Sequence, residues 1–256
     1  MNLTKSSNPV LNERVFSRES TWSREVMTIN GTVNKTGLML LLVIAGALFT
    51  WNKFFTAFTI DNPQAGMAAV APWLMIGGIG GLIVALITSF RPQSSAITAP
   101  IYAVLEGVLL GGLSAVFESM YAGIVMRAVA LTMGVFVAML VLYRSQVVPV
   151  TNKFRMGVFA ATGGIALVYL GSFIAGLFGA NTAFLYDSSP LSIGISLVVI
   201  VVAALNLMLD FDFIEKASAS GAPKYMEWYG AFGLMVTLVW LYLEMLRLLS
   251  KFANRE

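Results

Sequence analysis

The chain predicts an all-α, polytopic membrane protein, a bundle of seven transmembrane helices. Of its 256 residues, 58% are hydrophobic and 11% are charged, whereas soluble domains carry about 25% charged residues. Mean hydropathy is +0.81. The apolar stretches have helical length, since a bilayer core about 30 Å thick takes ~20 residues per crossing. Lipid admits only helices or closed barrels, because every backbone N–H and C=O must be satisfied within the protein.

The first element is a polar arm, residues 1–35. It carries Lys5, Glu13, Arg14, Arg18, Glu19, Arg24, Glu25 and Lys35, and it has no apolar run that could act as a signal-peptide core. The arm is therefore expected to stay uncleaved on its own side of the membrane. Its Ser-Arg-Glu-Ser (17–20) and Ser-Arg-Glu-Val (23–26) stretches suit a short polar helix, and Asn30-Gly31 reads as a turn. Charges, prolines and glycine clusters then place spans at about 36–57, 67–90, 97–118, 122–143, 156–178, 190–210 and 228–249. Pro190 and Pro223 lie where a helix can begin, and Pro100 falls in the first turn of the third span. The transmembrane domain is thus 36–249, followed by a short tail, 250–256. Glycines supply close-packing surfaces: Gly77, Gly78, Gly80 and Gly81 on the second span, Gly107 and Gly111 on the third.

Orientation follows from the cations. The side holding the arm has Lys5, Arg14, Arg18, Arg24, Lys35, Arg91, Arg144, Lys153, Arg155, Lys216 and Lys224, eleven of sixteen. The positive-inside rule makes that side cytoplasmic. The other side has Lys53, Arg127, Arg247, Lys251 and Arg255, three of them at the chain's end. A re-entrant last segment would bring those three back and give fourteen against two. Seven full crossings are preferred, because residues 228–243 carry no charge.

Two absences narrow the chemistry. With no cysteine and no histidine, disulfides, thiolate or imidazole metal sites, His-ligated haem and His-based triads are all excluded. No P-loop, GxSxG or HExxH pattern occurs, so no enzyme activity and no cofactor is expected. The net charge of +3 reads as loop charge rather than as a nucleic-acid surface. A pH response would have to come from a carboxylate that burial makes reluctant to ionise.

Charges at bilayer depth are costly and mark pathways or paired structure. Glu106 lies about ten residues, ~15 Å, into the third span, near the midplane. Its helical neighbours Tyr102, Ala103, Leu109 and Leu110 cannot neutralise it, so it reads either as a proton or cation site or as a protonated tie between helices. Asp210 and Asp212 end the sixth span about 200° apart on the helix. Asp212, with Glu215 and Lys216 following, reads as a solvated, salt-bridged face. Asp210, among Asn206, Leu207, Phe213 and Ile214, is the one expected in low dielectric, as a titrating latch or ion ligand. Arg91 is a candidate partner at the same depth, or an ordinary loop charge. Arg127 can snorkel outward. Glu244 with Arg247 at i+3 reads as a structural pair. Glu227 falls in the first turn of the last helix, favoured by the helix dipole.

Three segments carry a family resemblance. Ile97-Thr98-Ala99-Pro100-Ile101-Tyr102 through Leu105-Glu106-Gly107, Met156-Gly157-Val158-Phe159-Ala160-Ala161-Thr162-Gly163-Gly164, and above all Leu209-Asp210-Phe211-Asp212-Phe213-Ile214-Glu215 resemble the bacterial branch of the Bax inhibitor family. The last helix, from Glu227-Trp228-Tyr229 to Leu246-Arg247-Leu248-Leu249, extends the likeness to roughly residues 28–256. The resemblance implies seven helices with the last one central, and a pH-sensitive calcium leak. It also implies a carboxylate pair, one acid ending the sixth helix and one in the seventh, sharing a proton and latching the pore, with an arginine of the second helix able to take over one carboxylate. Asp210 matches the first acid and Arg91 the arginine. The second acid's position falls near Thr237, which cannot titrate, and Glu227 or Glu106 is the candidate replacement.

The leading expectation is a cation leak, calcium by resemblance, in a bacterial inner membrane, gated by protonation around Asp210, with Glu106, Asp212, Glu227 and Arg91 as further site residues. The alternative is a membrane-embedded interaction protein that modulates a membrane protease or a stress response through the arm, without ion flux. The bilayer itself is the one partner that composition demands.

Overall fold

The computed structural model describes residues 25–179, 185 and 187–255; the arm's residues 1–24, with most of its charges, lie outside them. Seven helices follow one another, each long and apolar enough to cross a bilayer: α1 (Ile29–Ala57), α2 (Pro63–Phe90), α3 (Ser95–Met120), α4 (Ile124–Arg144), α5 (Asn152–Leu177), α6 (Pro190–Ala219) and α7 (Met226–Ala253). The chain is an integral membrane helix bundle. One end of it, the near end, gathers the start of α1 and the α2–α3, α4–α5 and α6–α7 connections; the far end gathers the rest.

Local signals set the helix starts. The Thr28 side chain accepts the Gly31 N–H at 3.0 Å, so α1 begins seven residues before the expected boundary at 36 and Asn30-Gly31 is its first turn rather than a separate one. Ser189 caps α6 by accepting the Ser192 N–H, with Pro190 in the first helical position as expected. Pro223 does not open α7: its carbonyl accepts the Met226 N–H in a turn at 2.9 Å, and the helix starts three residues later. Pro100 lies inside α3, which begins at Ser95. At the other ends α6 runs to Ala219, nine residues past its expected stop, and α7 continues through Lys251, so that residue belongs to the helix and not to a tail. With 28 residues, α7 is ~42 Å long, a full crossing rather than a re-entrant segment.

Helices α3, α6 and α7 bury more than half of their apolar windows, and the other four less than a quarter. Helix α7 is the centre, packed against α1, α3, α4 and α6; α2 rests on α3 and α1, and α5 on α6. The outer helices present Leu41, Leu48, Ile79, Leu82, Val137 and Leu167 outward, as lipid contact requires.

Glycine sets the tightest packing. A Cβ at Gly107 would lie 2.3 Å from the Val43 carbonyl oxygen, and one at Gly111 2.1 Å from that of Ala47, so the α1 and α3 backbones touch. Gly46 answers from α1, 2.7 Å from the Val104 oxygen by the same construction. The buried Thr50 hydroxyl donates across the seam to the Val108 carbonyl at 3.0 Å. Gly77 and Gly81 do the corresponding work between α2 and α3. Gly111→Ala is accordingly expected to destabilise the protein by about 1–3 kcal/mol. Gly157→Ala, with nothing within 4 Å of the new carbon, should leave thermal melting in detergent unchanged or slightly raised.

Candidate functional site

The acids of the near end divide by their partners. Glu227, fully buried in the first turn of α7, is held by the ammonium groups of Lys35 and Lys224. It also accepts from the N–H and the hydroxyl of Thr28, both at 2.9 Å. Its place at the helix N-terminus is as expected, but it does far more than complement a dipole: it ties the start of α1 to the start of α7. The adjoining strand-like segment is pinned to the same turn, with the Met27 N–H donating to the Ala222 carbonyl at 2.7 Å and a bridge between Val26 and Pro223.

Asp212 corrects its expected exposure. It is 6% exposed and is paired with Arg155 of α5 and, at 2.8 Å, with Lys216. The Lys216 pairing is the i+4 contact read from spacing. The burial arises because α6 continues past residue 210, so that the near ends of α4 and α5 cover the face that carries Asp212. Beside it, the Tyr143 hydroxyl of α4 donates to Glu215.

Asp210 faces the other way, toward α7. Half-buried, it accepts a hydrogen bond from the Thr237 hydroxyl at 2.6 Å, and its Oδ1 lies 3.7 Å from where a Gly233 Cβ would be. No cation pairs with it among the described residues. Thr237, the position that the resemblance assigns to the second acid, is thus the residue that meets Asp210 across the α6–α7 seam. One turn earlier on α6, the Asn206 amide donates to the Thr162 hydroxyl of α5 and to the Val202 carbonyl.

Glu106 is buried in α3 and also has no cation among the described residues. What faces it from α2 is bare backbone, with Oε1 3.0 Å from where a Gly81 Cβ would be. Tyr102, one turn before it, is its polar neighbour and packs edge-on against Phe232 of α7, ring centroids 5.0 Å apart. Arg91 ends α2 and is exposed, without an ion pair among the described residues. The arginine found on a near-end aspartate is Arg155, and the aspartate is Asp212. Glu227 is occupied by lysines and does not pair with Asp210.

At the far end Glu244 and Arg247 pair at 2.7 Å as expected, joined by Tyr169 of α5, whose hydroxyl donates to Glu244 at 2.6 Å. Lys251, read from sequence as a tail charge, is 2% exposed. Its only sequence signal was a register: it falls four residues after Arg247 on the same helix.

Comparison with known families matches residues 8–254 to the family described as Bax inhibitor 1 like. The chain belongs to that family. No curated protein matches it. The family match covers the whole bundle, so Asp210, Thr237 and the seam between α6 and α7 lie within the shared domain of a Bax inhibitor 1 like protein.

Glu227→Gln removes the charge that two lysines and Thr28 share. Buried pairs lose several kcal/mol when one partner is removed, less here because Lys224 is partly exposed. The expected loss is about 2–3 kcal/mol, read as a lowered melting temperature of the full chain in detergent.

Proposed function

We propose that the protein is a cation leak of the membrane, calcium by its family resemblance, gated where α6 meets α7. The observation that supports this best is the contrast among the near-end acids. Glu227 and Asp212 are each neutralised by two cations, whereas among the described residues Asp210 has the uncharged Thr237 hydroxyl and no cation. An ionised carboxylate without a cation draws in a hard divalent ion through oxygen coordination, and a proton cancels that attraction. Asp210 is the titrating group and Thr237 the neutral partner that holds α6 to α7 when the path is closed. Glu106, also buried and without a cation among the described residues, is a second station for a proton or cation. Arg91, exposed at the same end and without an ion pair among the described residues, is the cation that meets Asp210 when the seam opens.

The orientation proposed is arm-inside, in a bacterial inner membrane. The excess of lysine and arginine at the near end supports it, and two of the three far-end cations that weakened the rule, Arg247 and Lys251, are engaged inside the bundle. A second reading, an interaction protein working through its arm, draws support from the clamping of residues 26–28 onto the α6–α7 turn. A partner pulling on the arm would act on the seam directly.

The test is calcium flux from protein reconstituted in liposomes, between about pH 6 and pH 8, the range in which a buried carboxylate can titrate. Native protein should show a pH-dependent flux, and Asp210→Asn, which retains an acceptor for Thr237 but no charge, should abolish that dependence. Unchanged pH dependence in Asp210→Asn counts against the proposal, and absence of flux from purified native protein favours the interaction reading. Thr237→Val removes the donor and should raise flux at fixed pH about fivefold, the population change that ~1 kcal/mol brings.

A further inference from the structure

The far end of the α6–α7 seam holds a lysine in an unusual setting. Lys251 Nζ donates to the Leu185 carbonyl at 2.9 Å, the Ser192 carbonyl at 3.0 Å and the Ser196 hydroxyl at 2.9 Å. No carboxylate lies within ion-pair distance of it among the described residues; Glu244 is taken by Arg247 and Tyr169, and Asp187 accepts from Ser189 in the exposed loop. A buried charge normally requires a counter-ion. Among the described residues its direct contacts are with neutral oxygens alone, as they are for an alkali cation in an oxygen cage.

We propose that this cage is a monovalent cation site in which the chain's own ammonium stands in for potassium. The two cations are close in size and both take oxygen ligands, so the carbonyls of Leu185 and Ser192 and the Ser196 hydroxyl accept either. The tethered cation joins three segments, the loop before α6, the first two turns of α6 and the end of α7, and closes the far end of the seam. Because the Lys251 stem occupies the cage permanently, the native protein has no place there for a free ion. A shorter side chain vacates it.

The test is thermal melting of the full-length protein in detergent, in KCl and in choline chloride at equal ionic strength. Lys251→Ala keeps the oxygens and should melt about 2–4 °C higher in KCl than in choline chloride, the shift that binding of an ion to the folded state brings. Native protein should melt alike in both salts. Lys251→Met should also melt alike in both, because its terminal methyl fills the space an ion would need. Adding Ser196→Ala to Lys251→Ala should remove most of the potassium effect. Lys251→Val, which keeps more of the stem, repeats the experiment where alanine leaves too little of the fold, and a variant that folds in KCl alone supports the site. No potassium-specific rise in either short variant, or an equal rise in the native protein, overturns the proposal.

Discussion

A charge held at the ends of a membrane helix must be compensated by the protein or reach water, and α7 is arranged around that demand. It carries Glu227 at one end and Glu244, Arg247 and Lys251 toward the other. The two acids and Lys251 are buried, and each is answered from another part of the chain: Lys35 and Thr28 of the α1 start, Tyr169 of α5, and the oxygens around Ser192 and Ser196 of α6. These contacts pin the central helix at both ends. Between them, among the described residues, the face toward α6 has one side-chain hydrogen bond, from Thr237 to Asp210.

That distribution makes the near half of the α6–α7 seam a softer junction than the ion-paired ends of α7. A charged pair in low dielectric resists opening, because separation leaves both charges uncompensated. A hydroxyl on a carboxylate costs less to break, and protonation of the acid alters it without moving a helix. On the opposite face of α6, Asp212 is fastened by Arg155 and Lys216, so motion at Asp210 would be taken up by α7 rather than by α6 as a whole. The glycine seams of α1 with α3 and α2 with α3 form a rigid block on the other side, where backbones in contact leave no space to slide.

The sequence reading put Asp210 on the buried face of the sixth helix through helical periodicity, and put Thr237 at the partner position through the family resemblance. It erred on Asp212 because it read the charged helical face of Asp212, Glu215 and Lys216 as lying in water. Charges signal the edge of the hydrocarbon, and a helix can continue beyond that edge, as α6 does for nine more residues, bringing Asp212 under the ends of α4 and α5. The same bias shortened α1 and turned Lys35 into an arm charge, although helical continuation brings it onto Glu227.

Length, hydropathy and the spacing of charges were enough for the class and the count of seven spans, since these depend on the cost of placing each residue in hydrocarbon and that cost is local. Which acid is compensated, and by what, depended on packing. Arg155 lies 57 residues from Asp212, and Lys35 is 192 from Glu227. The oxygens around Lys251 come from segments 55 to 66 residues away. Electrostatic compensation acts over a few ångströms in space, a distance to which separation along the chain gives no guide, so only the tertiary structure decided which charges are locked in pairs and which are not.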